Sequence, residues 1–96
     1  MMGNDETLVN KFLNIFKNQC PQQLQELLLH YKNEDWSSLS TAAHSMKTQF
    51  QYLSIQSLSA QISEIETLTD EGKTDKLSDL IPSFEKDLTE FLKKLN

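Results

Sequence analysis

The sequence contains no arginine: its nine fixed cations are all lysines, set against fourteen carboxylates for a net charge of −5. Nucleic-acid binding usually relies on a basic face with arginine forks for phosphate or guanine, so that class of partner is disfavoured. Two glycines (Gly3, Gly72) and two prolines (Pro21, Pro82) are the only strong chain breakers. An all-β domain of this length would need many more turn residues. The longest apolar run, Leu27-Leu28-Leu29, falls far short of the ~20 residues that span a bilayer. No basic stretch followed by an apolar segment opens the chain, so no secretory signal is expected. The lone cysteine, Cys20, has no internal partner, and a reducing cytoplasm is the expected location.

What remains is a chain of 96 residues with 38% hydrophobic and 24% charged side chains, rich in leucine, glutamine, glutamate and lysine. These are strong helix formers, and the length suits a single domain over 1–96. Leu8, Phe12 and Ile15, widened by Val9, Leu13 and Phe16, predict a first helix over about 4–19, with Asn4 or Asp5 as its cap. Pro21 suits the first position of a new helix, which carries Leu24, Leu27, Leu28 and Tyr31 and fades at Lys32-Asn33. Asp35 is placed to cap the third, marked by Trp36, Leu39, Ala43, Met46, Phe50 and Leu53. Ser54 is read as the start of a fourth helix carrying Ile55, Leu58, Ile62, Ile65 and Leu68, which Gly72 stops in the left-handed conformation. The fifth pattern, Leu77, Ile81, Phe84, Leu88, Phe91 and Leu95, keeps its phase across Pro82, which predicts a bend and not a boundary. Short connections force antiparallel neighbours. The expected fold is all-α: an antiparallel up-down four-helix bundle over about 21–96, with an additional N-terminal helix covering one end.

One region departs from ordinary surface. From Trp36 to Ser63 the only charged side chain is Lys47, so an anion approaching there meets little repulsion. His44 lies one residue beyond Ala43, on the shoulder of the apolar stripe, and Lys47 follows one turn along the same face. Two readings of that histidine stand side by side: a wet boundary residue, or a nucleophile with an ammonium near enough to pair with an arriving phosphoryl group. Glu66 adds a third member. His44 is ten residues before Ser54 and Glu66 twelve after it, which at ~1.5 Å per residue puts them at nearly the same height on adjacent helices. A carboxylate accepting from one imidazole nitrogen would fix the tautomer and leave the other nitrogen bare; an ordinary solvated glutamate is the other reading. Lys47 and Glu66 are both expected to stand largely exposed.

Asp35-Trp36-Ser37-Ser38-Leu39 followed by Ala42-Ala43-His44-Ser45-Met46-Lys47 resembles the signature of histidine-containing phosphotransfer (HPt) domains. In that family an acidic-Trp start leads to A-H-x-hydrophobic-K on the second helix of a four-helix bundle. Leu58 and Ile65-Glu66 continue the likeness, which covers nearly the whole chain. The resemblance implies that His44 is the phosphoacceptor, Lys47 the phosphoryl stabiliser and Glu66 the orienting partner. It implies a phosphorelay intermediate working with receiver domains or a hybrid sensor histidine kinase, with receiver aspartyl phosphates donating to His44 and accepting from it; a monomer is expected. Thr48 and Ser54 stand where the family usually has glycines, and they support a second reading, a bundle that docks on a receiver or kinase without being phosphorylated. No glycine-rich phosphate loop is present for ATP, and no acidic cluster near His44 would hold Mg²⁺, which is expected on the receiver. The partner surface is expected on the exposed face of the third and fourth helices around His44, with Thr48, Gln51 and Tyr52 near its centre.

Overall fold

The computed structural model describes residues 2–95, and side chains over 10–94. Four α-helices follow one another: α1 (Met2–Lys32), α2 (Trp36–Tyr52), α3 (Gln56–Asp70) and α4 (Leu77–Leu95), with a 3-10 turn at Thr74–Lys76 leading into α4. Each helix packs on the next, and α4 returns to α1, closing the ring of a bundle. Among the described side chains, every helix lends four fully or nearly buried apolar residues to one core. They are Phe16, Cys20, Leu24 and Leu27 from α1, and Leu39, Ala43, Met46 and Phe50 from α2. Leu58, Ile62, Ile65 and Leu68 come from α3, and Leu77, Ile81, Phe84 and Leu88 from α4. Their spacings of three and four residues are those of a helix face turned permanently inward. Burial pushes the Cys20 thiol up to about 12, so it behaves as a small hydrophobe.

The separate N-terminal helix expected from the sequence is absent: α1 runs through Pro21 without a break. The proline removes the donor that would reach the carbonyl of Lys17, but Pro21 is exposed while Phe16, Cys20, Leu24 and Leu27 hold one phase across it. Burying each large apolar side chain is worth about 1.5–3 kcal/mol, so keeping the stripe in register outweighs one lost backbone bond. Ile15, expected in the first apolar stripe, is 45% exposed, because the buried phase follows Phe16 and Cys20 instead. The expected caps Asn4 and Asp5, and the side chains of Leu8, Val9 and Leu95, lie outside the described side chains. Pro82 sits inside α4 and does not interrupt it.

Three helices end in the same way. Glu34, Ser54 and Gly72 have φ of 58°, 60° and 76°, and in each case the next residue donates its N–H back to a carbonyl five residues earlier. These bonds are Asp35 to His30, Ile55 to Phe50 and Lys73 to Leu68, all at 2.9 Å. This is the Schellman arrangement, which satisfies carbonyls that a helix end leaves open. Ser54 is therefore the stop of α2 and not the cap of α3, whose N-cap position is Ile55. Asp35 does cap α2, its carboxylate accepting from the Ser38 N–H at 3.3 Å. The Ser38 hydroxyl first, and that N–H second, hold its pKa below the ordinary aspartate range.

Candidate functional site

Ala43 and Met46 are buried, and that phase fixes what their neighbours do. His44, one position round from Ala43, presents a side chain that is 64% exposed. Its Nδ1 lies 2.9 Å from Glu66 Oε2 on α3. The same carboxylate meets Lys47 with its other oxygen, Nζ to Oε1 at 2.8 Å. An ionised carboxylate has no proton to give, so Nδ1 is the donor. Nε2, on the far side of the ring, keeps its lone pair and faces outward.

The structure thus brings His44, Lys47 and Glu66 together. It differs from expectation in their exposure: the Lys47 and Glu66 side chains are only 23% and 15% exposed. The two helices pack along this seam, and the lysine stem lies in it while the ammonium reaches the carboxylate. Lys47 is consequently paired and not free. One turn away, Ser40 Oγ donates to Asp70 across the same helix pair, a second polar rung between α2 and α3.

Thr48, Gln51 and Tyr52 are all exposed. The Thr48 hydroxyl donates to the carbonyl of His44 at 3.1 Å, an i−4 bond within its own helix. Tyr52 is 64% exposed and its ring packs on Phe12 of α1, centroids 4.6 Å apart and planes inclined by 59°. The sequence reading confined this face to two helices; the structure adds α1 through Phe12. The expected break at Pro21 concealed this, because it ended the first helix at about residue 19, whereas α1 runs unbroken for 31 residues against 17 in α2. A cleft of about 440 Å³ opens between Tyr31, Lys32, Glu34, Trp36, Thr74 and Asp75, at the opposite end of α2 and away from His44. Among the described residues, no group of three or more His, Cys, Asp or Glu is placed to hold a metal ion. No helix among them is long and apolar enough to cross a membrane.

Chemically, the arrangement offers one outward nitrogen nucleophile, one carboxylate fixing its ring, and one ammonium a turn away. Comparison with known families gives a match over residues 11–95 to the model described as Hpt domain. No curated protein and no solved structure matches the chain.

Proposed function

The chain belongs to the Hpt domain family, and from that premise we propose that it is a phosphorelay intermediate whose phosphoacceptor is His44. HPt domains are phosphotransfer modules of two-component signalling that work with receiver domains and kinases. The observation that carries the reading is the Nδ1 contact to Glu66 at 2.9 Å on a ring 64% exposed, which leaves Nε2 bare and accessible.

The Nε2 lone pair attacks the phosphorus of a receiver's aspartyl phosphate. The P–N bond forms, the P–O bond to the receiver breaks, and the aspartate carboxylate leaves with the electron pair. Nδ1 keeps its proton throughout, and the positive charge gained by the ring faces Glu66. Return to a second receiver reverses each bond. Such transfers depend on positioning and charge neutralisation: Lys47 supplies one positive charge, and the receiver supplies the rest together with its own divalent cation. Thr48, Gln51, Tyr52 and the adjoining Phe12 line the face that the receiver covers.

The test is uptake of labelled phosphoryl from a phosphorylated receiver. The label should be acid-labile and base-stable, as a phosphoramidate is, and His44→Gln should remove it. Label persisting in His44→Gln, or appearing on His30, refutes the assignment. A receiver that binds but never labels the chain supports the docking-only module.

A further inference from the structure

Glu66 has two partners, and the proposed chemistry changes what one of them wants. Before transfer, Lys47 Nζ lies 2.8 Å from Glu66 Oε1. After transfer, a phosphoryl group carrying up to two negative charges stands on Nε2. The two ring nitrogens point to opposite sides of the imidazole, so carboxylate and phosphoryl lie on opposite sides too. An ammonium in close contact with one has to shift to reach the other. Resting on the phosphorelay reading, we infer that Lys47 is handed from Glu66 to the phosphoryl group. Taken alone, that competition by Glu66 lowers the stability of the loaded state and favours onward transfer.

The physical basis is competition for one cation. Between Trp36 and Ser63 no other lysine exists, so no spare charge on α2 can replace Lys47 at the carboxylate. With side chains only 23% and 15% exposed, the pair is screened less than a fully exposed one. Whatever Lys47 gains at the phosphoryl group is offset by what it gives up at Glu66. The carboxylate therefore has two opposed effects on phospho-His44: it attracts the positively charged ring through Nδ1–H and competes for the lysine. A single substitution at Glu66 reports only their difference. A double-mutant cycle separates them.

The measurement is the equilibrium distribution of phosphoryl between His44 and a receiver aspartate. It is made for the parent, Glu66→Gln, Lys47→Met and the double variant of the full chain. Gln keeps an acceptor oxygen for Nδ1–H while removing the charge that holds Lys47. The informative quantity is the Glu66→Gln effect with Lys47 present, divided by the same effect in the Lys47→Met background. The hand-off predicts a ratio of about fivefold toward phospho-His44, the upper end for an exposed ion pair. Lys47→Gln provides a second background if Lys47→Met folds poorly. The Lys47 ammonium resonance should also move on phosphorylation of the parent. A ratio of one or less, or an unmoved ammonium resonance, overturns the hand-off while leaving His44 as acceptor. Absence of label on His44 in every variant overturns the phosphorelay reading itself, and the hand-off with it.

Discussion

Replacing Pro21 by alanine distinguishes two architectures by the sign of one number. If a helix began at Pro21, the residue would sit at the first helical position, where its missing N–H costs nothing and its fixed φ is favourable. Alanine there would be neutral or destabilising. In the structure Pro21 lies in the middle of α1, nineteen residues after Met2, and is exposed. Alanine restores the donor to the Lys17 carbonyl and removes the ring's steric conflict with that turn, relieving a penalty of ~3 kcal/mol. The unfolded chain regains freedom that proline had denied it, which returns up to ~1 kcal/mol. Net stabilisation is about 2 kcal/mol, which for a domain of this size raises Tm by roughly 10 °C. Urea and thermal unfolding followed by circular dichroism give both quantities. Pro82→Ala is the companion, because Pro82 is likewise exposed and interior to its helix. Neither substitution touches the seam holding His44, so phosphoryl uptake should be unchanged. A Pro21→Ala protein no more stable than the parent would show that α1 is two helices.

Asp35 should confer a pH dependence on stability. Its folded pKa is lowered by the Ser38 hydroxyl and then by the Ser38 N–H, so its contribution is full above the ordinary aspartate range and lost as pH falls through the lowered value; Asp35→Asn should retain the cap but flatten that part of the pH profile in thermal melts. At the left-handed turns, Gly72→Ala meets nothing within 4 Å, so its cost is backbone strain alone, about 1 kcal/mol. Ser54→Gly at φ 60° should change stability in the opposite direction and by less, as read from urea midpoints. Receiver binding should depend weakly on salt, since the stretch from Trp36 to Ser63 carries only Lys47 as a charge; a steep loss of affinity between low and physiological salt, measured by titration calorimetry, would place the contact on another face.

The inward stripes of α2, α3 and α4 were legible because they repeat without interruption, and so was the height at which His44 meets Glu66. The joining of α1 was equally present in the residues. The stripe that stays in phase across Pro82 also stays in phase across Pro21, but a proline flanked by Cys20 and a polar run reads locally as a helix start. Ser54 misled for a related reason: serine is a favoured N-cap, and the backbone here uses it as a left-handed stop one position earlier. The pairing of Lys47 was not legible. A lysine stem can reach solvent or a neighbouring helix equally well by spacing, and only the packed seam between α2 and α3 decides it. The contact of Phe12 with Tyr52 was hidden by the same boundary error, since it exists only if α1 continues far enough to lie beside the end of α2.

His44 stands outward on a regular helix, 64% exposed, and the total accessible surface is 6196 Å². A specific partner of standard size covers about 800 Å² of it, enough to take in His44, Thr48 and Tyr52 together. Two such footprints cannot both include the same ring. Under the proposed relay, donor and acceptor receivers are therefore mutually exclusive guests: no ternary complex forms, and the loaded chain must be vacated before it can deliver. Turnover should follow ping-pong order, and a large excess of unphosphorylated acceptor should slow loading by occupying the face it later needs. The phosphoryl group spends the interval between visits without cover, so the stored signal lasts only as long as the P–N bond resists water.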